Sequence, residues 1–268
     1  MKKVFQIILF FFSLTLISCE EEIILDFDKT VPRLVIEANI FAEEEVASIQ
    51  LSKTTDFYSN AFPKVDGAEI QIKNLETNEI YTFINIGSGN YFISNIDFQI
   101  GYNYELTVIY NNETYIATST LLPTPEILSV EQVNDGGIMG DSYEFRFYYQ
   151  DNPDEENFYL SVMNTPKEVS YGTWNDQFDN GNLTNDLFLF SKDNLKTGDT
   201  LQYYITSISK DYYNYLSKLL SISGSSSNPF ASPMGTIKGN IVNQTNKDNH
   251  ALGYFHIAKR NYYTYIVK

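Results

Sequence analysis

Tyr104-Glu105-Leu106-Thr107-Val108-Ile109-Tyr110 decides the fold class. Tyr104, Leu106, Val108 and Tyr110 alternate with Glu105, Thr107 and Ile109. Successive side chains of a strand point to opposite faces, so this period of two marks a half-buried strand. The same pattern recurs upstream. Leu34, Ile36, Ala38 and Ile40 share one face, as do Ala47, Ile49 and Leu51, and Ala68, Ile70 and Ile72. Asp66-Gly67, Gly87-Ser88-Gly89-Asn90 and Gly101 punctuate these runs, because Gly and Asn tolerate positive φ. About seven short strands in roughly 90 residues suit a sandwich. Leu121-Leu122-Pro123-Thr124-Pro125 ends the block, since proline cannot donate to a central ladder.

The block from Glu126 to Lys268 is also strand-rich. Its candidates are Tyr143–Tyr149, Phe158–Met163, Leu187–Phe190, Thr200–Ile208, Thr236–Val242, Ala251–Ala258 and Tyr262–Val267. One segment has helical spacing instead: Tyr212, Tyr215, Leu216, Leu219 and Leu220, with Ser209 placed as an N-cap and Gly224 as a stop. The expectation is an all-β protein of two β-sandwich domains, the second with one short α-helix near 210–222. The expected division is a signal peptide at 1–18, a lipidated acidic tether at 19–31, an N-terminal sandwich at 32–122 and a C-terminal β-rich domain at 123–268. The layout of Val65-Asp66-Gly67-Ala68-Glu69-Ile70, and of Gly89-Asn90-Tyr91 through Gly101-Tyr102-Asn103-Tyr104-Glu105-Leu106, resembles transthyretin-like or immunoglobulin-like modules.

Composition narrows the function classes. The chain has 268 residues, 18 Lys+Arg, 34 Asp+Glu and a formal charge of −16, which argues against a nucleic-acid partner. One cysteine permits no internal disulfide and no cysteine-based zinc site. Aromatic residues reach 15% against 19% charged, too aromatic and too weakly charged for disorder.

The N-terminus carries the most specific signal. Met1-Lys2-Lys3 precedes an apolar run from Val4 to Ile17, the layout of a secretory signal. A membrane span needs about 20 apolar residues. This run is shorter, contains Gln6, Ser13 and Thr15, and stops at Cys19. Leu16-Ile17-Ser18-Cys19 resembles the lipobox of bacterial lipoproteins. That resemblance implies cleavage before Cys19, a diacylglycerol on its thiol and an acyl chain on its new amino group. Two or more chains anchor stably, at about 0.8 kcal/mol per buried CH₂. Glu20, Glu21 and Glu22 follow directly. Besides solvating a tether, they resemble the export signal that sends Bacteroidota lipoproteins to the cell surface. Loss of Lys2 and Lys3 with the leader leaves 16 basic and 34 acidic residues, or −18.

Further motifs occur in order along the mature chain. They are Arg33-Leu34-Val35-Ile36-Glu37, Ile49-Gln50-Leu51-Ser52-Lys53, Val65-Asp66-Gly67-Ala68, Asp211-Tyr212-Tyr213, Asn228-Pro229-Phe230 and Ala251-Leu252-Gly253-Tyr254-Phe255. With the lipobox and acidic tail, they resemble the Bacteroidota outer-membrane lipoproteins of domain-of-unknown-function family 4249. The resemblance implies a surface lipoprotein, often encoded beside a TonB-dependent outer-membrane receptor. It brings no catalytic residues to carry over.

Side-chain chemistry offers two further candidates. Asp151-Asn152-Pro153-Asp154-Glu155-Glu156-Asn157 reads as a solvated hairpin turn. Asn175-Asp176-Gln177-Phe178-Asp179-Asn180-Gly181 reads as a glycine turn. Calcium takes hard oxygen ligands, so Asp151, Asp154, Asp176 and Asp179 are candidate ligands, although neither spacing matches a known calcium loop. Trp174, Tyr213 and Phe230 are candidate partner-binding residues, the aromatic type that anchors interfaces. The two histidines, His250 and His256, have no matching nucleophile and acid, and His256 lies in a strand pattern. No cofactor beyond the lipid on Cys19 is expected.

With what that family resemblance implies, the expectation is a non-enzymatic, lipid-anchored accessory or substrate-capturing partner of a TonB-dependent receptor, facing the cell exterior. A structural or assembly subunit of an outer-membrane complex is the alternative, and a lipid-anchored hydrolase with an unrecognised site is a third reading.

Overall fold

The computed structural model describes residues 31–55, 59, 61–178, 180–225 and 237–268. The leader, residues 19–30 of the tether with Cys19, Glu20, Glu21 and Glu22, and also Asp179 and Phe230, lie outside the described residues. Pro32–Thr55 and Ser59–Lys268 belong to one compact body.

Its strands are β1 (Leu34–Phe41), β2 (Val46–Lys53), β3 (Glu69–Asn74), β4 (Ile80–Thr82), β5 (Ile84–Gly87), β6 (Asn90–Ser94), β7 (Asn103–Tyr110) and β8 (Glu113–Thr120). They continue with β9 (Ile127–Gly136), β10 (Ser142–Gln150), β11 (Phe158–Asn164), β12 (Val169–Asn175), β13 (Leu183–Ser191) and β14 (Thr200–Ser207). The helix α1 (Lys210–Ser225) precedes β15 (Val242–Asn243), β16 (Leu252–Ala258) and β17 (Asn261–Ile266). Among the described residues, no helix is long and apolar enough to cross a membrane.

Two sandwiches result. In the first, sheet β16-β1-β2-β6-β5 faces sheet β15-β8-β7-β3-β4. Ile36, Ile40, Ile49 and Leu51 meet Ile70, Ile72, Tyr104 and Leu106 in one core. These are the inward sets of the alternating runs, and burying them is the dominant favourable term of the fold. In the second, sheet β13-β10-β9 packs on sheet β12-β11-β14-β17. Its core is aromatic: Phe145, Phe147, Phe188 and Phe190 pack with Met163, Leu201 and Tyr203. Phe147 stacks on Tyr203 with centroids 4.1 Å apart.

The pairing shares the chain out differently from the division at 122/123. β16 pairs in parallel with β1, from Val35↔Leu252 to Phe41↔Ala258. β15 pairs with β8. Ile241, Ala251, Phe255 and Ile257 accordingly belong to the first core. Periodicity reports which face of a strand is buried but not which strand lies beside it, so this return is invisible locally. The Ala251–Phe255 motif has a steric basis here. Gly253 has φ +95°, and a Cβ on it would fall 2.0 Å from the Ile36 carbonyl oxygen. Only glycine accepts both conditions.

The other early motifs also have structural roles. Tyr91 is fully buried, and its hydroxyl donates to the Val65 carbonyl at 3.0 Å. The Tyr91 hydroxyl oxygen also accepts the Ala68 N–H at 3.0 Å, and Asp66 Oδ1 accepts the Gly89 N–H at 2.8 Å. Val65-Asp66-Gly67-Ala68 is thus pinned to the turn before β6.

Helix α1 starts as expected, with Ser209 Oγ accepting the Tyr212 N–H at 3.2 Å, and it runs one residue past Gly224. It joins the sandwiches. Tyr212 packs on His256 and Tyr254, with centroids 4.2 and 4.6 Å away, and its hydroxyl donates to Asn39 Oδ1 at 3.0 Å. On the other side Tyr213 packs on Phe158 at 5.1 Å. His256 is 4% exposed with Nε2 unpartnered, and burial pushes its pKa down to about 3. Between β16 and β17, Arg260 lies 3.5 Å over the Phe41 ring. Its Nε meets Glu43 Oε1 at 2.5 Å, and its Nη2 pairs with Glu44. The Asn261 amide donates to the carbonyls of Thr124 and Pro125, tying the proline-rich linker to the start of β17 in the second sandwich.

Candidate functional site

The sequence reads Asp151–Asn157 and Asn175–Gly181 as simple turns. Both instead carry the chain from one sheet of the second sandwich to the other. The first links β10 to β11, and the second links β12 to β13. A hairpin joins neighbours in one sheet, whereas these loops span the gap between two sheets, so their inner residues are buried. They touch each other. Gly181 has φ +73°, a Cβ on it would fall 2.7 Å from Pro153 Cβ, and its N–H donates to Asp151 Oδ2 at 2.8 Å.

Beneath them, between β12 and β13, lies a cavity of about 200 Å³. Tyr149, Asp151, Tyr159, Trp174, Asp176 and Asp186 form most of its wall. The three aspartates are 1%, 5% and 2% exposed. Asp151 Oδ1 accepts the Tyr159 hydroxyl at 2.5 Å. Asp186 accepts the hydroxyls of Tyr203 at 2.6 Å and Tyr149 at 3.4 Å. Asp176 Oδ2 accepts the Asn157 N–H at 2.8 Å. Burial pushes the Asp186 carboxyl up to about 6, although hydrogen bonds from Tyr203, Ser161 and Tyr149 pull the other way. Burial and then the neighbouring carboxyl groups push the Tyr149 and Tyr159 hydroxyls well above the ordinary phenol range. These phenols stay protonated and donate.

Trp174 stands at the mouth, 40% exposed. Its indole N–H donates to Ser161 Oγ at 2.9 Å. The ring lies against Gly172, where a Cβ would come 2.7 Å from Nε1. The ring position is therefore fixed by a hydrogen bond and by the missing side chain beneath it.

Of the residues singled out in the sequence, the structure brings Asp151, Asp176 and Trp174 to one cavity. Asp154 stays in the exposed turn, its N–H bonded to Asn152 Oδ1 at 3.2 Å. Tyr213 is half-buried as packing between α1 and β11. Among the described residues, no three His, Cys, Asp or Glu side chains gather closely enough to hold a metal ion. Asp186 is the wall residue that sequence reasoning missed, yet it had a signal. It shares the inward phase of β13 with Phe188 and Phe190, a place where a carboxyl group needs partners.

Two β-sandwiches, the first built from strands of both ends of the chain, joined by one helix and with an acidic, aromatic-walled cavity in the second, define the class of protein. The chain belongs to the family described as domain of unknown function (DUF4249), whose model matches residues 20–263. No curated protein matches it. Among solved structures it is similar to a two-domain fibronectin type-III segment of chicken tenascin, at 9% identity over 66% of this chain and 91% of that one, with a TM-score of 0.22. It is similar also to a cytokine receptor complex at 8% identity, 67% and 86% coverage and TM-score 0.26. A third is the BSP domain of a biofilm-associated protein, at 16% identity, 67% and 26% coverage and TM-score 0.23. The sandwich assignment itself rests on strand pairing and core packing.

Proposed function

We propose that this chain is a cell-surface outer-membrane lipoprotein, anchored through lipid on Cys19, that serves a TonB-dependent receptor in nutrient uptake as a non-enzymatic accessory or substrate-capturing partner. The observation that carries this reading is the placement of the single thiol. Cys19 stands where an apolar leader ends, and Glu20, Glu21 and Glu22 follow it. The family match begins at residue 20, directly after that cysteine. A protein partner is supported by edge strand β13. Its outward row holds Leu183, Leu187 and Leu189, 59%, 42% and 50% exposed, interrupted by Asn185, an apolar surface at the edge of the sheet.

Fractionation of cells carrying the full chain or Cys19→Ala tests the reading. The expected result is outer-membrane recovery and co-purification of a receptor barrel with the unaltered chain, and loss of membrane partitioning in the variant. A variant that still partitions with the outer membrane refutes the anchor. An unaltered chain that brings down no barrel from native membranes refutes the receptor partnership.

A further inference from the structure

We propose that the cavity between β12 and β13 binds an organic monocation, an ammonium or guanidinium head group. Three carboxyl groups, each at least 95% buried, share this space. A buried carboxylate is costly unless it is both hydrogen-bonded and paired with a positive charge, and these three have hydrogen-bond donors but no cation beside them. No Lys, Arg or His lines the cavity, and no salt bridge of the described residues involves Asp151, Asp176 or Asp186.

The second observation is Asp176 itself. Oδ2 is held by the Asn157 N–H, but among the described residues nothing donates to Oδ1. A side chain that is 95% buried and lines the cavity thus keeps one acceptor open. Asp151 and Asp186 have both oxygens occupied by fixed donors, so they supply field rather than new bonds. Trp174 adds an aromatic surface at the mouth, and a cation within about 6 Å of such a face is attracted by its quadrupole.

The donor set selects the class of cation. The three carboxyl groups are not gathered as a metal cluster. A cation that spreads several N–H donors suits separated oxygens and a ring better than a point-like metal ion. The volume of about 200 Å³ admits a head group on a short alkyl stem but not a large molecule. Cation binding is a property of the folded body and is read on purified protein, so it stands or falls apart from the lipid anchor.

The only tryptophan of the chain sits at the mouth, which makes its emission a local reporter. The full chain in detergent is titrated with n-butylguanidine and n-butylamine, each a monocation at pH 7, with calcium chloride and with a short peptide carrying one arginine and one lysine, followed by Trp174 fluorescence and calorimetry. The expected result is saturable binding of n-butylguanidine or n-butylamine, weakened at least tenfold by Asp176→Asn and unchanged by Asp154→Asn. Peptide binding at least tenfold tighter than the free monocations also supports the site and assigns its source to a partner's side chain. No response to either monocation or to the peptide up to 10 mM overturns the proposal, and so does a response to calcium alone. Equal affinity in Asp176→Asn overturns the location. If melting shows that this variant does not fold, Trp174→Ala read by calorimetry replaces it, with an expected loss of about threefold to tenfold. Unchanged affinity there overturns the proposal.

Discussion

Acidification from pH 7 to pH 5 should act on two buried groups in opposite directions. His256 is held neutral at the α1 junction, with its pKa at about 3 against an ordinary 6.5. The unfolded chain takes up this proton below 6.5 while the folded chain refuses it. The stability tied to His256 is therefore complete above 6.5 and is lost as pH falls. At 1.36 kcal/mol per unit, the loss between pH 7 and pH 5 is about 2 kcal/mol. Asp186 works the other way, because its folded pKa is about 6 against an ordinary 3.8. The folded chain takes up that proton first, so stability tied to Asp186 is complete below 3.8 and is lost as pH rises through 6. Between pH 7 and pH 5 acidification returns about 1 kcal/mol.

The two slopes partly cancel in the unaltered chain, and substitution separates them. Urea unfolding by circular dichroism at both pH values measures them. His256→Phe should gain about 2 kcal/mol relative to the unaltered chain on going to pH 5, and Asp186→Asn should lose about 1 kcal/mol relative to it. Each comparison is a change in a difference, so any packing penalty of the substitution drops out. Variants whose offsets from the unaltered chain are the same at pH 7 and pH 5 refute the burial argument for both groups.

Gly253→Ala should destabilise the first sandwich by about 2 kcal/mol or more, given the positive φ and the collision with Ile36, and thermal melting checks it. An unchanged midpoint contradicts the β1–β16 pairing. Arg260→Ala, which strips the cation from Phe41 and from Glu43 and Glu44, should cost about 1–3 kcal/mol. It should also raise amide exchange along β17 before the first core, and uniform exchange counts against a junction role. Replacing Glu20, Glu21 and Glu22 with glutamine should reduce cleavage of the chain by protease added to intact cells, and equal shaving rules out the acidic export signal.

The all-β class was legible because alternation at Leu34–Ile40, Ala47–Leu51 and Tyr104–Tyr110 is a local property of side chains. The helix was legible for the same reason, since Ser209 and the spacing from Tyr212 to Leu220 sit in one stretch. Partnership was not. β16 joins β1 across most of the chain, and nothing in Leu252–Ala258 records that its neighbour is N-terminal. β9 and β12 escaped notice because their alternation is poor, with Leu128 and Val169 exposed and Gly172 unable to contribute. The cavity was half legible. Asp151 and Asp176 stood out as acidic turn residues, but turn chemistry is the same whether a loop joins neighbours in a sheet or crosses a sandwich. That difference, set by pairing, is what buries them beside Asp186.

The lipid anchor is the central claim, and the mass of the mature N-terminal peptide from native membranes tests it most directly. The predicted result is a peptide beginning at Cys19 and carrying a thioether-linked diacylglycerol and an amide-linked acyl chain. A peptide that retains Met1–Ser18, or one that contains an unmodified Cys19, contradicts it.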